Sequence, residues 1–401
     1  MNILYIWDAD YPWDVRVEKI CKTLAQSNHT IHIAARNLKR LPVCETTNGL
    51  HIHRLRPWKN ERLNYMFSFP AFFSPIWGSF LKRIIQENGI EMIIVRDLPM
   101  AIAGIWAGKR HSIPVIFDMA EDYVSMIKDI WRVRKFEKLN LLVRNPYLAR
   151  LVERYVIKHA DHILTVVDEA RDMILEKGGS AQQVSVVGNT PALELFTKNT
   201  FKIDPVHEKK IKEHFSVIYT GGIQMGRGIQ VVINALPILK MKIPTILFVI
   251  VGDGYAVSQL KGLADMNDVR DQILWAGWID HEKVYDYIRL SKVGIIPHRV
   301  SDQTNTTIPN KIFDYMGLGI PVITSDATPM KRIVDTEQCG LTFKNGDSQS
   351  FANTLLELIR LDQDCGSRGR KAVIEKYNWG IDGASLLNVI EKYRGGAHEQ
   401  G

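Results

Sequence analysis

Apolar positions along the chain gather into short continuous runs separated by stretches of helical period. The first series is Ile3 to Trp7, an amphipathic stretch Val15 to Ala25, then Thr30 to Ala35, Met92 to Val95, a break at Pro99, and Val115 to Phe117. A second series follows: Ser216 to Tyr219, Ile229 to Leu239, Thr245 to Val251, Ile273 to Ala276, Val284 to Leu290, Val293 to Pro297, Asn310 to Met316 and Pro321 to Ser325. Apolar runs of strand length alternating with helical periods predict parallel strands joined by crossover helices. The pattern therefore predicts an α/β chain in which one doubly wound architecture is built twice.

Between the two series, residues 189 to 214 are polar, contain Pro191 and Pro205, and carry no sustained apolar period. This stretch reads as the interdomain linker, with the boundary near residue 200. Two such domains facing one another leave a cleft between the carboxyl ends of their strands, where open α/β sheets bind ligands.

A chain of 401 residues, 46% hydrophobic and 24% charged, is globular and long enough for two or three cores. That balance excludes wholesale disorder and a collagen-like fibre. The net charge is +7, with cations grouped at Arg54, Arg56, Lys59 and Arg62 and at Arg132, Arg134, Lys135 and Lys138. Such groups are either solvated surface or a site for an anionic membrane, a phosphorylated substrate or nucleic acid. Four scattered cysteines without a Cys-x-x-Cys spacing argue against a zinc knuckle or disulfide framework and fit a reducing compartment. The opening MNILYIWDAD has no basic region ahead of a long apolar stretch, so no secretory signal is expected. The segment Tyr65 to Leu81, with Pro70 and Pro75 inside it, is marginal for a spanning helix and reads as core or as shallow insertion into a bilayer interface.

Candidate chemistry begins at Asp8 and Asp10, whose spacing could hold a divalent metal or simply be solvated. The dinucleotide fingerprint is missing after the first strand, and the P-loop pattern fails at Gly221 to Gly228 because Arg227 and Gly228 stand where Lys and Ser/Thr belong. What remains there is physical. Gly221 and Gly222 let backbone N–H groups approach an anion, a helix starts near Gly228, and Arg227 adds a fixed charge. The alternative is an ordinary glycine turn with a surface arginine. Gly252 and Asp253 follow another buried run and are either site or turn. Residues 297 to 326 run from a polar loop through Pro309 into a short helix carrying Asp314, suited to a diphosphate at the loop and to ribose hydroxyls at Asp314. Solvated or locally bonded roles for Asp314 are the alternative.

Gly221-Gly222, Arg227-Gly228, Val251 to Gly254, Gly277-Trp278 and Phe313 to Val322 match, in order and spacing, the retaining glycosyltransferases of glycosyltransferase family 4, which have a GT-B fold. Tyr11-Pro12, Arg16 to Lys19, Phe117 to Asp122 and Tyr377 to Trp379 agree with the same resemblance. The resemblance implies two Rossmann-like domains: residues 1–200 binding an acceptor, residues 201–377 binding a nucleotide-sugar donor, and a last helix, residues 378–401, returning to the first domain. It further implies that Asp314 binds the donor ribose and that the diphosphate lies against Gly222, Arg227 and the Thr306-Thr307 backbone. Asn310 and Lys311 belong to the loop motif Asn305 to Phe313, shared with branches that act on bacterial surface polysaccharides.

Departures from the family pattern are specific. Thr306 replaces the first glutamate of the usual pair, Gly222 and Arg227 leave one diphosphate cation where two are expected, and Ala120 replaces a first-domain histidine. Asp118 and Glu121 beside Ala120, together with Arg227, are the catalytic candidates. A leaving nucleoside diphosphate needs oriented donors as charge builds on it, so a metal is dispensable and no cofactor beyond the nucleotide-sugar co-substrate is expected. The expected acceptor is a glycan or lipid-linked glycan, contacted by Phe67 to Trp77 and the basic groups. An anionic membrane surface is a further candidate partner and nucleic acid is not expected. The expected location is cytoplasmic, with peripheral attachment to the inner face of the plasma membrane as its refinement. Two rivals fit the same fold, a nucleotide-sugar epimerase and a non-catalytic nucleotide-sugar-binding subunit.

Overall fold

Strand β1 (Asn2–Ile6) follows from a run so apolar that Ile3 to Ile6 are all fully buried, the signature of a parallel strand covered on both faces. The computed structural model describes residues 1–12, 14–68, 72, 74–134, 145–197, 203–361 and 364–394. The chain divides into two units, Met1–Asn189 with Asp382–Gly401, and Thr190–Ile381. The expected boundary at residue 200 lies outside the described residues.

The first unit adds β2 (Thr30–Ala35), β3 (Cys44–Thr47), β4 (Leu50–Arg54), β5 (Met92–Arg96), β6 (Val115–Met119), β7 (His162–Thr165) and β8 (Val184–Val186). They form one sheet in the order β3-β4-β2-β1-β5-β6-β7-β8, parallel throughout except for β3 against β4. The hydrophobic pattern does not predict β3 and β4: Cys-Glu-Thr-Thr is polar, and Leu50, Ile52 and Arg54 alternate with His51 and His53. Pro99 marks a helix start instead of a simple break, standing in the first turn of Leu98–His111 where its missing N–H costs nothing.

The aromatic stretch from Tyr65 divides by function in the fold. Trp77, Phe80 and Leu81 on the helix Pro75–Asn88 are core, whereas Tyr65 and Met66 at the end of the helix Glu61–Ser68 are exposed. Pro70 lies outside the described residues. Among the basic groups, Arg54 is no surface charge, since its guanidinium donates to Tyr11 O and Pro42 O and pairs with Glu45 at 2.8 Å. Lys135 and Lys138, and the side chains of Arg132 and Arg134, lie outside the described residues.

The second unit carries β9 (Phe215–Thr220), β10 (Ile246–Val251), β11 (Ile273–Gly277), β12 (Val293–Ile296), β13 (Val322–Ser325) and β14 (Gly340–Phe343), all parallel, in the order β11-β10-β9-β12-β13-β14. Along β10, Ile246, Phe248 and Ile250 face one core and Leu247, Val249 and Val251 the other. The period of two with both faces buried explains why the run is continuous and not alternating. The polar stretch 189 to 214 is not an open linker. It holds the helices Glu194–Thr197 and Pro205–Glu213, the latter capped by the Asp204 carboxylate on Val206 N–H and His207 N–H and anchored by buried Ile211.

The last helix, Trp379–Arg394, begins in the second unit and ends in the first. Asp382 accepts from Gly188 N–H at 2.9 Å, the Tyr393 hydroxyl donates to Asp161 O at 2.7 Å, and Leu386 and Ile390 are fully buried.

Candidate functional site

In the second unit the carboxyl end of β9 runs straight into Gly221-Gly222, a short 3-10 turn Met225–Arg227, and the helix Ile229–Lys242. Two glycines make this turn possible. Gly228 has φ 72° and a Cβ there would strike the Pro297 carbonyl; Gly252 has φ 144° and a Cβ would strike the Gly221 carbonyl. Gly221 N–H donates to Val251 O and Gly252 N–H to Gly277 O, so the ends of β9, β10 and β11 are tied side by side. Gly221 and Gly222 lie exposed, and the space a side chain would fill at Gly222 is open.

Arg227 stands exposed beside this turn. A second cation reaches it from a distant segment. Lys311, first residue of the helix Lys311–Gly317, lays its ammonium nitrogen 3.9 Å from the centre of the Tyr219 ring and 3.0 Å from the point where a Gly221 Cβ would be. Lys311 thus stands beside the same glycine turn as Arg227. Burial, and then the charge of Arg227, pull Lys311 well below its ordinary pKa, while Asp314 opposes them. The Lys311 ammonium forms no ion pair or hydrogen bond among the described residues.

His298, just past β12, completes the cluster. Its Nδ1 lies 3.4 Å from Arg227 Nη1. A guanidinium only donates, so Nδ1 accepts and the ring proton sits on Nε2. That nitrogen is buried without a partner among the described residues. Burial, Lys311 and Arg227 together drive His298 well below the usual histidine value, so the ring is neutral. Sequence reading missed His298 because nothing local marks it, and it missed the Tyr219 face for the same reason.

Asp314 is half-buried one turn into its helix, and the Tyr285 hydroxyl reaches its Oδ1 at 3.4 Å. The loop before it is less open than expected. Thr306 N–H is spent on Gln303 O, the hydroxyls of Thr306 and Thr307 donate to carbonyls of Asp302 and Gln303, and Phe313 N–H and Asp314 N–H go to Asn310 O. Thr306 N–H and both threonine hydroxyls are thus engaged within the loop. Asp253 is likewise occupied, accepting from Gly254 N–H at 2.7 Å at the exposed end of β10.

The first unit requires a second correction. Asp118 is fully buried and its carboxylate holds Arg16 at 2.6 Å while accepting the Tyr5 hydroxyl at 2.8 Å. Burial alone would raise its pKa; the charge and hydrogen bonds of Arg16 override that and lower it. Arg16 in turn donates to Val187 O and Gly188 O. A carboxylate enclosed in this way ties β6 to the first helix and the end of β8, and it cannot reach a reacting group. Glu121 stands exposed beyond β6.

Two other carboxylates of the first unit are perturbed in the opposite direction. Burial lifts Asp8 to about 6 against Arg36, and Asp97 to about 7 against Arg96. Asp97 also has a left-handed backbone with φ 58°. Asp10 accepts from Leu38 N–H at 2.7 Å, a loop-closing contact.

The comparisons with known proteins divide along the same two units. Residues 14–190 match the family description "Glycosyl transferase 4-like domain" and residues 214–361 match "Glycosyl transferases group 1". The "putative glycosyltransferase EpsD" of Bacillus subtilis is 22% identical over 394 residues, covering 93% of this chain and 92% of that protein. The "putative colanic acid biosynthesis glycosyltransferase WcaL" of Salmonella typhimurium is 25% identical over 359 residues, covering 88% of this chain and 82% of that protein. Among solved structures, Anabaena HepE in complex with UDP-glucose superposes with a TM-score of 0.70 at 14% identity, over 98% of this chain and 100% of that one. With both units matched in this order, the chain belongs to the glycosyltransferases of GT-B fold.

Proposed function

We propose that the second unit binds a nucleotide-sugar donor, UDP- or GDP-linked, and that the chain transfers the sugar with retention to a glycan or lipid-linked glycan in the assembly of a surface polysaccharide. The observation that carries this reading is the unpaired pair of cations, Arg227 and Lys311, against a glycine turn at the carboxyl end of a parallel strand. Two cations near enough for one to depress the other are destabilised until an anion arrives, and a diphosphate matches their charge. Asp314, half-buried one turn into its helix, supports the reading as a carboxylate acceptor for ribose hydroxyls.

As the sugar–oxygen bond breaks, negative charge grows on the leaving diphosphate, and Arg227 with Lys311 stabilises it without reorganising. The acceptor hydroxyl oxygen bonds to the anomeric carbon from the face the nucleotide leaves, and its proton passes to the departing diphosphate oxygen. The cations supply the charge that a metal would otherwise provide, so transfer proceeds without one. The relatives named for glycosyl transfer in EpsD and colanic acid synthesis support the polysaccharide assignment.

For the acceptor side, exposed Trp58, Leu63, Tyr65 and Met66 stand among exposed Arg56, Lys59 and Arg62. Aromatic and cationic side chains together suit the headgroup region of an anionic membrane, and this supports peripheral attachment at the cytoplasmic face. No helix among the described residues is long and apolar enough to cross a membrane.

The test is acceptor-dependent release of nucleoside diphosphate from a panel of UDP- and GDP-sugars, with and without a chelator, and with the anomeric configuration of the product read by NMR. Retention with full activity in chelator is expected. Conversion of donor without acceptor would favour epimerisation, and binding without turnover would favour a non-catalytic subunit.

A further inference from the structure

A cluster of metal-ligating side chains that the donor site does not use lies at the edge of the first sheet. Antiparallel pairing sets Cys44 of β3 opposite His53 of β4, and Thr46 opposite His51. Arg54 N–H donates to Val43 O, so the next pair along, Cys44 and His53, is of the kind without mutual backbone bonds, in which facing side chains come closest. On the other side of β4, His32 of β2 pairs with His51. The period of two then puts Cys44, Thr46, His32, His51 and His53 on one face. The rings confirm it, since the centre of His32 is 4.9 Å from that of His51 and 5.3 Å from that of His53.

His53 stands in the middle of a chain of contacts. Its Nδ1 lies 4.0 Å from Cys44 Sγ, and its Nε2 lies 3.1 Å from His32 Nδ1. Burial and then the neighbouring rings bring His32 down to about 4. Burial, His51 and Arg83 lower His53 against Glu87, so near neutral pH both rings are uncharged and one proton serves the contact between them. Two tautomers satisfy that contact. In one of them His53 Nε2–H donates to His32 Nδ1, and His53 Nδ1 turns a bare lone pair toward the thiol. A metal-bound imidazole held through its other nitrogen is arranged in the same way. In a tetrahedral zinc site, sulfur at about 2.3 Å and nitrogen at about 2.0 Å from the ion are about 3.6 Å apart, so a small turn of the exposed Cys44 side chain closes the gap. His51 is occupied, its Nδ1 lying 3.2 Å from the Thr46 hydroxyl. No three such ligands converge on one point among the described residues, so water completes the shell.

We propose that Cys44 and His53 bind a thiophilic divalent cation of the zinc type, with His32 as the positioning residue behind His53. The thiol proton passes to solvent as the thiolate takes the metal, and no electrons are transferred. Bound there, the ion clips the polar edge strand β3 to β4, and it adds no metal to the transfer step.

Titration of the reduced full-length chain with Cd²⁺, followed by the ultraviolet thiolate-to-cadmium charge-transfer band, tests this directly. Cys21, Cys339 and Cys365 are buried, so the band reports Cys44. The expected result is a band that saturates at one ion per chain and is displaced by Zn²⁺. Cys44→Ser, at an exposed position, removes the band, and His53→Gln weakens Cd²⁺ binding at least about tenfold. For the positioning role, His32→Phe is expected to cost about tenfold in Cd²⁺ affinity, and His32→Gln, which keeps an acceptor for His53, to recover most of it. Absence of the band in the natural chain overturns the proposal, and that arm needs no variant to fold. A band that survives in Cys44→Ser overturns it too, because the thiolate is then another. Unchanged affinity in His53→Gln does the same, because sulfur then holds the metal without the imidazole.

Discussion

Both units gather charge at the carboxyl ends of their sheets, and they do it in opposite ways. In the first, Arg16 and Asp118 satisfy each other almost completely, with the Tyr5 hydroxyl and two backbone carbonyls taking the remaining valences. In the second, Lys311 feels the charge of Arg227 more than that of Asp314, and neither cation forms an ion pair among the described residues. The lesson concerns how a perturbed group is read. A buried charge whose partners are all present is holding the fold, and a charge left without its counter-ion marks where a ligand belongs.

That contrast is broken most severely by Asp118→Asn. Leaving Arg16 buried and unpaired is expected to cost about 3–5 kcal/mol of stability, read by denaturant unfolding. The natural pair's contribution is full above the ordinary aspartate value of 3.8 and is lost as pH falls through the lowered value in the fold. An Asp118→Asn chain that unfolds like the natural one would place the residue outside the structural core assigned to it.

Arg227→Ala is the counterpart in the second unit. Since Arg227 is exposed, its loss leaves unfolding nearly unchanged, while donor affinity falls about 10- to 100-fold, the worth of a charge-assisted hydrogen bond. A smaller loss, about tenfold, is expected for Asp314→Asn, and it should shrink with a 2′,3′-dideoxy analogue of the donor if the carboxylate bonds the ribose.

Lys311→Met sharpens the comparison from the other side. Removing a cation that the free protein holds unfavourably should raise stability by about 1 kcal/mol near neutral pH while weakening donor binding. The sign with pH follows from the lowered value of Lys311. The unfolded chain binds its proton up to 10.5 and the folded chain releases it earlier, so stability rises with pH across that window. The rise should vanish in Lys311→Met, as unfolding at a series of pH values will show.

Much of this was legible in the sequence where the signal is local. Continuous apolar runs gave β1, β9 and β10, and the glycines and Arg227 marked the turn after β9, because strand burial and backbone clearance are set by neighbours in the chain. What escaped was set by neighbours in space. Arg16 meets Asp118 across 102 positions, which no spacing rule reports, and so a buried ion pair reads as a catalytic candidate. Arg227 meets His298 across 71 positions, and Lys311 becomes the second cation only when its helix brings it over Tyr219. The polar strands β3 and β4 and the helix Pro205–Glu213 were hidden for another reason. At a sheet edge or a surface, pairing and capping by Asp204 suffice with few apolar residues.

The central claim is that the unpaired cations of the second unit are the donor's diphosphate site. Its most direct test is a thermal-shift comparison of the natural chain and an Arg227→Ala, Lys311→Met double variant against uridine, guanosine, adenosine and thymidine diphosphates and their sugar conjugates. A ligand that binds only the folded chain raises its melting temperature. The account predicts a rise with one base in the natural chain and none in the folded double variant. An equal rise in both would contradict it, because the diphosphate would then be held somewhere else.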